Sequence, residues 1–214
     1  MFRLLFPPKC VLCGRILAHQ ETDLCHDCRQ NADPFPGNKA KIPFIAHWTA
    51  LWYSKDNVRT SIHRFKFGNR RHYASAYGRF LAMRLNESRF CDAELITWVP
   101  VSALRRFRRG YDQSQLLAQA LGKELSLPVI RTLKKIRHTP PQSTLGHAPQ
   151  RRANVLGAYR IAAPAEIAGK RIILLDDVVT TGATASECAK VLLTAGAKEV
   201  LLATVAVAKH DKKK

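Results

Sequence analysis

The feature that most constrains the fold is one run near the C-terminal end: Ile172-Ile173-Leu174-Leu175-Asp176-Asp177-Val178-Val179-Thr180-Thr181-Gly182-Ala183-Thr184. From Arg171 to Leu175 the chain is nearly pure aliphatic. A strand with no polar face must be buried on both sides, as in a parallel sheet covered by helices. Two adjacent carboxylates end this strand, and a turn with three threonines and one glycine follows. Then Ala185, Cys188, Ala189, Leu192 and Leu193 recur at helical spacing until Gly196 stops the helix. Val200 to Val207 is a second continuous apolar strand. This is a strand–turn–helix–strand unit, and in such sheets the carboxyl ends of the strands border the binding crevice.

Other segments extend the same architecture. Leu95 to Val101 reads as a short buried strand, Ser114 to Leu125 as a helix with Leu117, Ala120, Leu121 and Leu125 on one face, and Pro128 to Ile130 as another short strand. Ile42 to Tyr53 favours extended structure, and a helix is expected from Ala74 to Leu85. Together these predict an α/β fold, a parallel sheet with flanking helices. Between Thr132 and Ala158 periodicity disappears, with three prolines, two glycines and many basic side chains. A loop that long in a compact domain is commonly functional, and here a mobile loop over the site is expected.

The acids and the turn carry the chemistry. Asp176 and Asp177, fixed at a strand end, suit hydrogen bonds from the vicinal hydroxyls of a ribose and contact with magnesium through water. The turn from Val178 and Val179 through Thr180, Thr181, Gly182, Ala183 and Thr184 places hydroxyls and backbone N–H groups at a helix N-terminus, which favours an anion. Gly182 would let the backbone close on a phosphate. No lysine follows the glycine, so this is not a nucleotide-binding P-loop. A ribose 5-phosphate is the ligand that these residue types match.

Six cysteines are present, and Cys10-x-x-Cys13 with Cys25-x-x-Cys28 places four of them in the first 28 residues. Two such pairs let four sulfurs reach one tetrahedral ion, so a closed structural zinc site is expected, with an iron–sulfur cluster or a disulfide pair as alternatives. Cys91 and Cys188 stand apart, Cys188 on an apolar helix face. Charge is one-sided: 35 Lys and Arg against 16 Asp and Glu give a formal +19. Polyanion binding is the natural reading, beside a cationic surface with no partner. From Arg59 to His72, Phe65, Phe67 and Tyr73 interleave with Arg64, Lys66, Arg70 and Arg71. That suits stacking and backbone contact with single-stranded DNA, but equally an alternating strand with its phenylalanines inward. Basic clusters also occur at Arg105 to Arg109 and at Lys134 to His138.

The acid–threonine run resembles the phosphoribosyl pyrophosphate signature of type I phosphoribosyltransferases, and the rest of the chain is similar to the ComF family. The shared pieces are the double Cys-x-x-Cys, Val99-Pro100, Arg109-Gly110-Tyr111-Asp112-Gln113 and Arg137-His138-Thr139 with Gln142-Ser143-x-Leu145. Arg151 or Arg152 and Asn154-Val155-x-Gly157-Ala158-Tyr159 complete the match. The resemblance implies that Asp176 and Asp177 hold the ribose hydroxyls and that Val178 to Thr184 holds the 5-phosphate. It places pyrophosphate at the loop after the first strand, Val101, Ser102, Ala103, Arg105 and Arg106. It matches Lys134 to Gln142 to the flexible loop that closes over the reactive carbon.

Asp176, Asp177, Arg109 and Arg137 are thus the expected catalytic residues, and cationic stabilisation of a leaving pyrophosphate is the reason for the arginines. Zinc, and magnesium entering with phosphoribosyl pyrophosphate, are the implied ions. Residues 1–36 are expected as the cysteine module, with 31–43 as a linker, and 37–214 as the transferase-like domain. The opening lacks the pattern of a secretory signal and no run is long enough to span a membrane, so a cytoplasmic location is expected. The resemblance further implies an accessory role in natural transformation or external DNA utilisation, with single-stranded DNA and uptake proteins as partners. Phosphoribosyl transfer to an unidentified acceptor is the alternative.

Overall fold

The computed structural model describes residues 7–37, 40–86, 90, 92–140 and 148–208. Within them, four strands form one sheet: β1 (His47–Tyr53), β2 (Leu95–Trp98), β5 (Arg171–Val179) and β6 (Glu199–Val207). Their order is β1-β6-β5-β2, and every pairing is parallel. Ile172 to Leu175 and Val200 to Ala206 are buried throughout, as strands covered on both faces require. A fifth segment joins the β2 edge, where Ile96 N–H donates to Pro128 C=O and Ile130 N–H donates to Ile96 C=O. The α/β parallel sheet is therefore as expected.

Helices cover both faces. On one lie α2 (Asp56–Phe67), α3 (Tyr73–Asn86) and α5 (Gln113–Leu125), and α3 packs on α5 so closely that a Cβ on Gly78 would come within 2.7 Å of the Ala120 Cβ. The other face carries α7 (Ala183–Thr194), whose Ala185, Cys188, Ala189 and Leu192 are buried at the spacing read from sequence. Two apolar clusters result, one per face of the sheet.

The expected irregular stretch from Thr132 to Ala158 is partly ordered. It contributes β3 (Leu133–Lys135) and α6 (Ala148–Val155), and β4 (Tyr159–Ile161) pairs antiparallel with β3. Three-residue strands are too short to show alternation, and Ala-Pro-Gln-Arg-Arg has no apolar stripe, so periodicity could not reveal them. The central part of the expected mobile loop, with Gln142, Ser143 and Leu145, lies outside the described residues, as do Cys91 and the basic tail.

The expected linker is docked. Phe35 N–H donates to Leu51 C=O at 3.0 Å and Tyr53 N–H to Asp33 C=O at 2.9 Å, adding an antiparallel bridge to β1. The cysteine module, with its short α1 (His26–Asn31), shares the apolar cluster of the α2–α3–α5 face through Val11, Leu12, Leu17 and Leu24. Arg79 clamps it with two bonds to the Asp23 carboxylate, at 2.6 and 2.9 Å.

Candidate functional site

β5 continues as a strand through both acids to Val179, its register with β6 running from Arg171 opposite Glu199 to Val179 opposite Val207. Successive strand residues point to opposite faces, so Asp176 and Asp177 diverge from a single point on the sheet's carboxyl edge. Asp177 turns toward α2, where the Lys66 Nζ lies 2.8 Å from its Oδ1. Asp176 accepts from the Ser114 hydroxyl at 3.3 Å and from the Asp177 N–H at 2.9 Å. Burial, reinforced by the neighbouring Asp177 charge, lifts the Asp176 carboxyl to about 7; Lys66 opposes that rise.

The turn from Thr180 to Gly182 leads directly into α7, whose first-turn amides face the acids' end of the sheet. Gly182 adopts a left-handed φ of 75°. A Cβ there would meet the Ile42 side chain at 3.0 Å, so the glycine serves the turn's conformation and its packing on Ile42 as well as any approach to a ligand.

These groups line a cavity of about 730 Å³. All of Asp176 to Thr184 borders it, as do Val101, Arg105 and Arg109 among the expected pyrophosphate and catalytic residues. Ser102 and Ala103 do not. Ser102 instead caps α4 (Ala103–Arg109), accepting from Arg105 N–H, and its hydroxyl lies 3.0 Å from His138 Nδ1. Arg105 lines the cavity while donating to Thr139 C=O at 2.6 Å, which ties the segment after β3 to α4. Arg109 donates to Gln113 Oε1 at 2.6 Å and stands over the Phe67 ring at 4.7 Å. Arg137 is not brought to the cavity: its guanidinium donates to Leu156 C=O at 2.7 Å, holding the end of α6.

The cavity also gathers residues that the sequence did not place at this site, together with Lys135 of the expected Lys134 to Gln142 loop. Arg59, His63, Lys66 and Phe67 come from α2, Lys135 and Tyr159 from the hairpin, Arg108 from α4 and Ser114 from α5. Lys135 stands 5.1 Å from the Tyr159 ring centroid, and burial, then the Arg105 charge, lower its pKa to about 8. Asp112 organises this wall. Its carboxylate accepts from Val101 N–H at 3.1 Å and from Gln115 N–H at 3.2 Å, joining the loop after β2 to the start of α5. An Asp one residue ahead of a helix is a capping signal visible in sequence.

The basic–aromatic segment is helical, not extended. Phe65 and Tyr73 are buried, whereas Phe67 is 60% exposed. Only Phe67 of that trio presents a ring for stacking. A second exposed ring, Phe107, lies between Arg106 and Arg108 on α4.

The four cysteine sulfurs of Cys10, Cys13, Cys25 and Cys28 all lie within 4.8 Å of one another. Zinc–sulfur bonds of about 2.3 Å in a tetrahedron would separate sulfurs by roughly 3.8 Å, so the set fits one ion. Arg15 N–H and the Asn57 side-chain amide point at Cys13 and Cys28 sulfurs, at 3.5 and 3.6 Å, as N–H donors do around thiolate ligands. Three of the four cysteines are buried, which marks a closed structural site.

Comparison with known proteins agrees with this geometry. Residues 108–214 match the phosphoribosyl transferase domain model, and residues 1–40 match the double zinc ribbon domain model. The chain is 29% identical over 215 residues to Competence protein F of Haemophilus influenzae, covering 90% of this chain and 93% of the relative. It is 37% identical over 200 residues to DNA utilization protein YhgH of Escherichia coli K12, covering 89% of this chain and 80% of the relative. The Salmonella typhimurium protein of the same name is 31% identical over 196 residues, with the same two coverages. With the parallel sheet, the acid-ended β5 and the four-cysteine cluster in one chain, the protein belongs to the ComF family of phosphoribosyltransferase-fold proteins with an N-terminal zinc module.

Proposed function

We propose that this protein binds phosphoribosyl pyrophosphate, as its magnesium complex, and acts as an accessory factor in competence or DNA utilisation. One observation carries the reading: a carboxylate pair and a helix N-terminal turn meet in a cavity whose lining also includes Arg59, Lys66, Arg105, Arg108, Arg109 and Lys135. Six cations against two acids suit a ligand with a ribose diol and several phosphates. The turn Thr180 to Thr184 takes the 5-phosphate through α7 amides and hydroxyls. Asp176 and Asp177 take the ribose hydroxyls and the magnesium-bound water. Arg105 and Lys135 face the pyrophosphate; burial lowers the Lys135 pKa to about 8, and the arriving anion raises it again and so secures the ammonium form.

The DNA role rests on the relatives' names and on the charge of +19. Its surface is the cavity mouth at exposed Phe67 together with the exposed side of α4, where Phe107 stands in sequence among Arg105, Arg106, Arg108 and Arg109. Exposed rings between arginines offer stacking platforms beside backbone contacts, without base-specific readout.

A second reading is transfer of the phosphoribosyl group to an acceptor with release of pyrophosphate. The Asp176 carboxyl, held at about 7, favours it, since that value suits a group taking a proton from an attacking nucleophile. Phosphorus NMR of magnesium phosphoribosyl pyrophosphate with the zinc-loaded protein and a small-molecule cell extract separates the two. Perturbed donor signals without turnover support binding alone. Pyrophosphate released in excess over protein supports the transferase, and unperturbed donor signals overturn both.

A further inference from the structure

The helix α2 belongs to neither matched domain, yet it touches both sites. Arg59, Ile62, His63, Lys66 and Phe67 follow the spacing i, i+3, i+4, i+7, i+8 and form one wall of the cavity. Asn57, Ser61 and Arg64 face the cysteine module: Asn57 donates to the Cys28 sulfur, the Ser61 hydroxyl to Val11 C=O, and Arg64 to Leu12 C=O at 3.4 Å. Tyr111, from the segment before α5, donates to Phe65 C=O near the helix end. The helix is thus fixed along its length, and Lys66 is held in its last turn.

Lys66 meets Asp177 at 2.8 Å with both side chains largely covered, at 23% and 12% exposure. An ion pair so placed is not a rim contact, because its acid is one of the two expected to receive the ligand's diol. We propose that Lys66 is a ligand-binding determinant of this site: the resident counter-ion of Asp177, which passes to the ligand's phosphates when magnesium phosphoribosyl pyrophosphate engages the acids. The proposal rests on the reading of the cavity as a phosphoribosyl pyrophosphate site, and deepens it by assigning a residue outside the matched transferase segment.

The chemistry follows from two adjacent carboxylates in one covered site. Without a cation between them and the protein interior, the second carboxylate ionises only at higher pH. Around Asp177 stand Lys66 of α2, Tyr77 of α3, Asp112 before α5 and Asp176 itself. Around Asp176 stand Ser114 of α5, Lys135 and Tyr159 of the hairpin, and Cys188 of α7. Of these, Lys66 is the cation in direct contact with an acid of the pair. Losing it raises the pH at which the carboxylates become available, so ligand affinity falls most at low pH and recovers as pH rises.

The test is calorimetric titration of the full-length, zinc-loaded protein with magnesium phosphoribosyl pyrophosphate between pH 6 and 9. Wild type, Lys66→Met and Lys66→Arg are compared, with far-ultraviolet circular dichroism confirming that each is folded. Lys66→Met is expected to weaken binding about tenfold or more at pH 6.5, with the deficit shrinking toward pH 9, as a charge-assisted contact and a raised carboxyl pKa require. Lys66→Arg is expected to restore affinity to within about threefold, keeping the cation. Wild-type affinity and an unshifted pH profile in Lys66→Met would overturn the proposal alone. Failure of the arginine variant to restore the profile would also overturn it, and absence of saturable wild-type binding would overturn the reading of the cavity together with it.

Discussion

At the residue scale, Asp176 shows a conflict between stability and site chemistry. Burial lifts its pKa to about 7 from an unfolded value near 4, so the fold pays for the carboxylate at pH above that range. The sign follows: a raised folded pKa means that this group's contribution favours folding less as pH climbs from about 4 to about 7. Asp176→Asn is therefore expected to raise the melting temperature at pH 8, with the gain vanishing toward pH 4, while ligand binding is lost. Melting curves at the two pH values check this, and an equal shift at both would show that ionisation is not the cause. Asp176 and Asp177 were legible in sequence because acids ending an aliphatic strand are anomalous. Lys66 was not, because a lysine between two phenylalanines reads as an alternating strand until the helix places Phe65 inside and Phe67 outside.

At the element scale, the turn into α7 depends on Gly182. Alanine there would carry a φ of 75° and press its Cβ on Ile42 at 3.0 Å. Gly182→Ala is expected to cost about 1–2 kcal/mol by the left-handed penalty, seen as a lower urea midpoint with unchanged slope; an unchanged midpoint would show that the turn relaxes freely. The helix α2 illustrates why elements with two partners are hard to read. Its faces serve the cysteine module, the core and the cavity, so apolar residues do not collect in one stripe. By contrast α5 and α7 each bury a single face: Leu117 and Leu121 of α5 and Ala185, Cys188, Ala189 and Leu192 of α7 are buried as their spacing predicts, while Ala120, Leu125 and Leu193 are partly covered at its edge. The β3–β4 hairpin was illegible for a different reason, since three residues per strand hold no period.

At the scale of the whole molecule, the cysteine module and the sheet share one apolar cluster, with Arg79–Asp23 and the Asn57, Ser61 and Arg64 contacts across the join. Removing zinc by chelation is expected to lower the melting temperature by on the order of 10 °C, if about 3 kcal/mol of module stability is lost. It should also weaken ligand binding, because α2 loses its support; chelation that leaves both unchanged would contradict the structural role. The charge of +19 was read correctly as one-sided, but sequence could not say where it concentrates. The fold gathers arginines of α4 and α2 at one cavity, which the exposed Phe67 lines, and leaves Phe107 exposed on α4. Replacing both rings with alanine is expected to cost about 1–3 kcal/mol per stacked base in single-stranded DNA binding, measured by fluorescence anisotropy on a labelled oligonucleotide. Loss of affinity with added salt should persist in that variant, since phosphate contacts govern it.

In the proposed site the acid pair and the α7 turn together bind phosphoribosyl pyrophosphate. Calorimetric titration of the zinc-loaded protein with magnesium phosphoribosyl pyrophosphate, beside the Asp176→Asn/Asp177→Asn double variant, tests it most directly. Saturable one-to-one binding is expected of the wild type and a loss of about a hundredfold or more of the folded double variant, as removal of two charge-assisted contacts implies. Equal affinity in the two proteins, or no binding by either, would contradict it.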